Sequence, residues 1–260
     1  MEVVIAPAPE LARLAADAVE RLLAARPDAV LGLATGSSPL AVYDELARRH
    51  AERGLSFARA RAFLLDEYVG LPADHPQRYR NVIDAELVSR VDLPPEAVKG
   101  PDGLADDLPA ACAAYEAAIA RAGGVDLQLL GIGTDGHVAF NEPGSSLGSR
   151  TRIKTLARRT RQDNARFFDG DVDAVPTHCL TQGLATIATA RHLVLLATGT
   201  RKARAVQQLV EGPVSARWPA TVLQLHPHVT VLVDDDAAGR LELADHYRET
   251  YAAKPAWQRL

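Results

Sequence analysis

Residues 125–144 read VDLQLLGIGTDGHVAFNEPG, and the reading of this stretch decides the fold. Its first eight residues, Val125 to Ile132, form a short apolar run, the pattern of a strand buried on both faces. The continuation matches G-x-G-x-x-G, which after a strand can mark a dinucleotide-binding turn. That reading fails here. A helix would have to start in the loop, and Asn141-Glu142-Pro143-Gly144 breaks one within its first turns. No acidic residue lies about 20 positions further on to hold a ribose. What remains is a strand followed by a glycine-rich loop carrying Asp135, His137 and Glu142 within eight residues.

The same strand pattern recurs on either side, at Ala29 to Ala34, Arg61 to Leu65, His192 to Thr198 and Val229 to Val233. Between these runs lie amphipathic stretches with helical spacing: Leu11 to Ala25, Leu40 to Arg53, Tyr79 to Ser89, Leu108 to Arg121, Leu180 to Ala190 and Lys202 to Glu211. Alternation of this kind predicts an α/β fold, a three-layer, modified Rossmann-like arrangement with a mostly parallel sheet and helices on both faces. No repeat and no Gly/Ser/Pro linker divides the chain. Residues 1–260 read as a single domain, with a last helix-like segment running nearly to Leu260.

Composition agrees. Of 260 residues, 47% are hydrophobic and 24% charged, which excludes a mainly disordered chain and supplies a core without staples. Cys112 and Cys179 are far apart and in no metal-type spacing, which suggests a reducing compartment and no disulfide framework. The N-terminus lacks a basic segment before an apolar block, and no apolar run approaches the roughly 20 residues of a membrane span. A cytoplasmic protein is expected. The net charge of −4 argues against a general nucleic-acid footprint. Within it, 25 arginines stand against only four lysines, a bias of codon usage that makes the lysines worth locating.

In doubly wound sheets ligands bind at the carboxyl ends of the strands, so the junctions carry the chemistry. After the first run comes Thr35-Gly36-Ser37-Ser38-Pro39, with Ser38 as the expected N-cap and Pro39 at the first helical position. Gly36, Ser37 and Ser38 at a helix start are the ingredients of a phosphate cradle, and equally of an ordinary capped turn. A Walker lysine is absent. After the second run come Asp66 and Glu67. Adjacent residues of a strand project to opposite sides, so at most one of these carboxylates faces a cleft; taken alone, Asp66 reads more simply as a loop cap or salt bridge.

The Asp135, His137 and Glu142 trio suits acid–base catalysis, with flanking carboxylates setting the tautomer of the histidine and raising its basicity. A metal site ranks low, because no further His or Cys occurs before His178. Arg150, Arg152, Lys154, Arg158, Arg159, Arg161 and Arg166 face a single acid, Asp163, a run that suits a small anion better than RNA. Thr198-Gly199-Thr200-Arg201-Lys202 brings another lysine to a helix start.

Together these blocks resemble the glucosamine-6-phosphate deaminase family. The matching strings are LATGSSPL (33–40), LDEYVGLPADHPQRY (65–79), GIGTDGHVAFNEPGSSLGSRTRIKTL (131–156), NARFFD (164–169), GTRKA (199–203) and LQLHPH (223–228). Related sugar-phosphate enzymes share the DGH but not the AFNEP that follows. The resemblance implies aldose–ketose isomerisation and hydrolytic deamination of glucosamine 6-phosphate, with no metal or organic cofactor. It makes Asp66 the base that moves the C2 proton. His137 opens the pyranose ring with help from Asp135 and Glu142, and Gly36, Ser37, Ser38, Arg166 and Lys202 hold the phosphate.

Many bacterial members are hexamers activated by N-acetylglucosamine 6-phosphate between subunits. The matching residues here are Ser145, Ser146, Arg152, Lys154 and Thr155, so a homo-oligomer, favoured as a hexamer, and an effector site are expected. Asp234-Asp235-Asp236 and the C-terminal tail, where Tyr251 lies, depart from the allosteric members, and the phosphate loop reads Gly-Ser-Ser where some members have two glycines. Two alternatives stand beside this reading. One is a 6-phosphogluconolactonase-like esterase on the same fold. The other is a sugar-phosphate-sensing module of a regulator, for which residues 1–28 are too short to supply a DNA-binding domain.

Overall fold

In the computed structural model, which describes residues 1–255 and 258, the apolar runs become strands that pair as predicted. In chain order the elements are β1 (Glu2–Ile5), α1 (Ala8–Ala25), β2 (Val30–Leu33), α2 (Leu40–Arg53), β3 (Arg61–Leu64), β4 (Asp66–Tyr68), α3 (Tyr79–Glu86), β5 (Val98–Lys99), α4 (Leu108–Arg121) and β6 (Leu127–Gly131). The second half adds β7 (Arg152–Thr155), α5 (Arg158–Asn164), β8 (His178–Thr181), α6 (Leu184–Ile187), β9 (His192–Ala197), α7 (Ala203–Glu211), β10 (Val229–Val233), α8 (Asp235–Ala238) and α9 (Ala244–Ala252).

Seven strands form one parallel sheet in the order β1-β10-β9-β6-β2-β3-β5. Strand alternation divides the core in two. Leu193, Leu195, Val229 and Val231 face α4, α6, α7 and α8, whereas Val194, Leu196 and Leu232 face α1, α2 and α3. Both faces are thus covered, which is why these strands read as continuous apolar runs. From β2 the chain moves outward to β3 and β5, then returns to build β6 on the other side of β2. The switch in strand order therefore falls between β2 and β6, where a crevice opens at their carboxyl ends.

A second, antiparallel sheet, β4-β8-β7, was not anticipated from sequence. The predicted helix from Leu180 to Ala190 is wrong: residues 178–181 are a strand and only Leu184–Ile187 is helical. The backbone groups of β8 are taken by β4 on one side and β7 on the other, and Gln182 N–H donates to Leu65 O at 2.7 Å. Gly183 then passes so close to the Ser149 carbonyl that any Cβ would collide with it. The start of α2 also differs. Pro39, not Ser38, occupies the N-cap, and no side chain caps the helix.

β1, at the far edge of the sheet, was not anticipated either. The last helix ends at Ala252, and residues 256, 257, 259 and 260 of the tail lie outside the described residues. Among the described residues no helix is long and apolar enough to cross a membrane.

Candidate active site

The crevice between β2 and β6 is a cavity of about 810 Å³, and the post-strand loops converge on it. Its lining includes Gly36, Ser37, Ser38, Asp66, His137, Arg166 and Lys202, so seven of the sequence-predicted substrate residues meet in one place.

At one end, Gly36 takes φ +90°, a backbone conformation that only glycine adopts freely. The base of this loop is pinned from inside by Tyr43, whose hydroxyl donates to Ala34 O at 2.7 Å and accepts from Ala34 N–H at 3.1 Å. Across the cavity, Gly199 donates its N–H to both oxygens of Asp234, each at 3.0 Å, which fixes the turn that presents Thr200, Arg201 and Lys202. Lys202 Nζ donates to Ile132 O at 2.6 Å. Burial lowers its pKa, and the neighbouring Arg166 and Arg201 lower it further. Three cations around the hydroxyls of the Gly36–Ser38 loop make a pocket for a dianionic group.

Asp66 and Glu67 part company as strand alternation requires. Asp66 lines the cavity, is only 6% exposed, and its carboxylate has no hydrogen-bond partner among the described residues. Burial, reinforced by the adjacent Glu67 charge, raises its pKa well above the ordinary range. Glu67 turns the other way and accepts the N–H groups of Tyr68 (2.9 Å), Tyr79 (2.9 Å) and Arg80 (3.0 Å), holding the start of α3. The kink that delivers Asp66 comes at Leu65, where the chain leaves one sheet for the other. Tyr115 Oη and Gln182 Nε2 both donate to Leu64 O just before it, at 2.6 and 2.9 Å.

Asp135 Oδ1 lies 2.7 Å from His137 Nδ1 and also accepts the His137 N–H at 3.2 Å. Burial works to raise the Asp135 pKa, yet its hydrogen bonds to His137 prevail and hold it at about 2. An ionised Asp135 fixes the Nδ1–H tautomer and leaves Nε2 as the nitrogen free to exchange protons. The imidazole lies flat on Gly133, where any side chain would overlap the ring.

Glu142 does not join this pair. It is 8% exposed and turned toward α5, accepting the Ala157 N–H at 3.1 Å and the Thr160 hydroxyl. Of the two carboxylates expected to flank His137, Asp135 is hydrogen-bonded to it, while the hydrogen bonds of Glu142 go to Ala157 and Thr160. The intervening Val138–Asn141 turn is closed by Asn141 N–H donating to Val138 O. The contribution of Glu142 is to anchor the helix whose Gln162, Asp163 and Asn164 wall the cavity.

Of the residues matched to an effector site, Arg152 and Lys154 project to one face of β7, while Thr155 is exposed on the other. Arg152 Nη1 is drawn inward to Asn141 Oδ1 at 2.9 Å. Ser145 is buried with its hydroxyl unpaired among the described residues, and Ser146 is exposed. Tyr79 and Phe140 stack on each other in the cavity wall and escaped the sequence reading, as did Asp234 as a loop clamp. Only tertiary pairing brings them in. Among the described residues no group of three or more His, Cys, Asp or Glu is disposed to hold a metal ion.

A doubly wound sheet whose switch-point crevice joins an anion cradle to a buried carboxylate and an Asp–His pair is that of a protein acting on a small phosphorylated metabolite. More particularly, the chain belongs to the glucosamine-6-phosphate isomerase/6-phosphogluconolactonase family, whose model matches residues 6–232. It is 73% identical over 259 residues to a glucosamine-6-phosphate deaminase of Mycolicibacterium smegmatis, covering 99% of both chains. It is 71% identical over 261 residues to one of Beutenbergia cavernae, covering 100% of both. Among solved structures, a monomeric glucosamine-6-phosphate deaminase superimposes with a TM-score of 0.90 at 43% identity, covering 92% of this chain and 100% of that one. The 6-phosphogluconolactonase of Trypanosoma cruzi shares the fold, with a TM-score of 0.74 at 22% identity over 93% of this chain and 97% of its own.

Proposed function

We propose that this chain is a single catalytic domain that converts glucosamine 6-phosphate and water to fructose 6-phosphate and ammonia. The phosphate rests on Gly36, Ser37 and Ser38 between Arg166 and Lys202, spending binding energy far from the reacting carbons on orientation. His137, held in one tautomer by Asp135, moves a proton at the ring oxygen and opens the pyranose. Asp66 removes the C2 proton and returns it to C1, leaving an imine at C2 to which water adds before ammonia leaves. A carboxylate that carries a proton between two carbons needs a raised pKa, and burial supplies it. Glu142 acts by anchoring α5 over the substrate.

The observation that carries this reading is Asp66 itself: a buried carboxylate without a hydrogen-bond partner among the described residues, in the same cavity as His137 of the Asp135–His137 pair and the anion cradle. The test is ammonia release from glucosamine 6-phosphate by the wild-type chain and by Asp66→Asn. Activity that collapses in the variant supports the assignment. Hydrolysis of a lactone would not need this base, so an active lactonase indifferent to D66N favours the esterase alternative, and no turnover of either substrate favours a binding module.

The proposal extends to a homo-oligomer, favoured as a hexamer, and to activation by N-acetylglucosamine 6-phosphate at Ser145, Ser146, Arg152, Lys154 and Thr155. The residue match and the unpaired, buried Ser145 hydroxyl support it. The monomeric relative and the outward-facing Thr155 weigh against it. Light scattering and initial rates with and without the acetylated sugar decide the matter: a hyperbolic curve indifferent to that sugar removes the effector site. The enzyme is assigned to the cytoplasm, in keeping with its two buried free thiols.

A further inference from the structure

Between His137 and Glu142 the chain makes a turn that the proposed chemistry does not explain. Ala139 stands at φ +52°, in the left-handed region that disfavours every residue but glycine, and it lines the cavity. The turn is closed by the Asn141 N–H on Val138 O at 3.1 Å and reinforced by Asn141 Nδ2 on the same oxygen at 3.0 Å. Nδ2 also donates to Gln182 O at 2.8 Å, and Oδ1 accepts from Arg152, so this fully buried amide has both ends engaged. The preceding N–H of the turn, that of Phe140, donates to Thr181 Oγ1 at 3.1 Å. Thr181 in turn reaches Gln182 O at 3.3 Å.

The position of Thr181 gives this arrangement its meaning. On β8 it pairs directly with Asp66 of β4 and, on its other side, with Arg152 of β7. Residues directly opposite in an antiparallel sheet project to the same face. The Thr181 hydroxyl therefore stands in one row with the Asp66 carboxylate while gripping the turn that begins one residue after His137.

We propose that Thr181 and Asn141 are positioning residues that hold the Val138–Asn141 turn, with Ala139 left-handed, and so set His137 and Phe140 in register with Asp66. The inference rests on the functional reading above, in which Asp66 and His137 handle different protons of one bound sugar. Two groups on separate loops need a common reference, and β8 supplies it: one hydroxyl and one amide bind the turn to Thr181 and Gln182, at the end of the strand that pairs with β4, which carries the base. Ala139 keeps its conformation because the clamps on either side over-determine it.

The test uses the full chain and four variants: Thr181→Val, Thr181→Ser, Ala139→Gly, and T181V combined with A139G. T181V removes the acceptor for the Phe140 N–H with little change of volume, and T181S keeps it. On the proposal, T181V lowers kcat about 10- to 100-fold, as a small misplacement does, and leaves KM within about threefold because the phosphate cradle sits on other loops. T181S recovers most of the loss. A139G in the T181V background also recovers activity, because glycine takes the left-handed conformation without the clamp.

A T181V enzyme that is less heat-stable but turns over at the wild-type rate overturns the proposal. So does a loss that T181S shares in full, or one that A139G leaves unchanged. Should T181V not fold, A139G alone still decides: a raised Tm supports a strained Ala139, and a lowered one refutes it. Absence of ammonia release by the wild-type chain would instead remove the functional reading, a result distinguishable from all of these.

Discussion

Replacing Gly133 by alanine puts the placement of the imidazole to a direct test. A Cβ on Gly133 would overlap the His137 ring, whose atoms are its three nearest neighbours. Gly133 has no positive φ, so alanine fits its backbone and the effect falls first on the ring. Carbon atoms rest about 3.5–4.0 Å apart, so the imidazole must retreat by roughly 1 Å or more and give up its alignment with Asp135. The ring is the mobile end of a partly exposed side chain, and the fold itself yields little. Misplacing a proton-handling group by about 1 Å costs about 100-fold, or roughly 2.7 kcal/mol of transition-state stabilisation.

Gly133→Ala should therefore lower kcat for ammonia release from glucosamine 6-phosphate by about two orders of magnitude while KM stays within about threefold. Tm should fall by no more than about 3 °C, the shift that about 1 kcal/mol produces in a chain of this size. A kcat within threefold of wild type would refute the placement of His137. So would a loss explained by unfolding. Gly136 is the contrasting case. Its φ of +83° and its closeness to Trp218 make Gly136→Ala a folding defect first.

Three further outcomes follow from particular contacts. Asp234→Ala frees the Gly199 N–H and uncaps α8, so KM should rise about tenfold with a smaller change in kcat, and Asp234→Asn, which keeps an acceptor, should fall between; steady-state kinetics measure both. His192 stacks on His228 at 3.6 Å among His226, Lys254 and Glu2, and burial, followed by the neighbouring histidines, lowers its pKa to about 3. A folded-state pKa below the unfolded value near 6.5 means full stability above that pH and progressive loss down to about pH 3. His192 alone should cost about 2 kcal/mol between pH 8 and pH 5, read as a shift in urea midpoint that His192→Gln abolishes. Arg49 is buried between α1 and α2 and binds Asp17, Glu20 and Glu45 at 2.6–2.7 Å. Arg49→Met leaves three clustered carboxylates and should cost about 3 kcal/mol by urea unfolding.

The five apolar runs were legible because a central parallel strand is buried on both faces and so is mostly apolar, with Gln128 and Thr230 the buried polar exceptions in β6 and β10. The chemistry of the loops was legible too, since Gly36, Asp135, His137 and Lys202 each follow such a strand. The short antiparallel sheet was not. Its strands read DEY, RIKT and HCLT, mixed sequences with no periodicity of their own, and the Asp66–Thr181 pair joins residues 115 positions apart. Leu180 to Ala190 carries helical spacing, but helix propensity there yields to strand partners on both sides.

By itself the sequence determined which chemical groups this protein possesses, on which loops of a doubly wound sheet they lie, and which family it joins. Those properties are local, written in runs of a few residues and in the motifs that follow them. Only the tertiary structure decided which groups work together. It sent Asp66 into the cavity and Glu67 to the start of α3, paired His137 with Asp135, turned Glu142 to α5, and set Thr181 between the base and the loop. Each outcome depends on which side of a strand a residue faces and which distant strand lies beside it, and packing of the whole chain selects those partners.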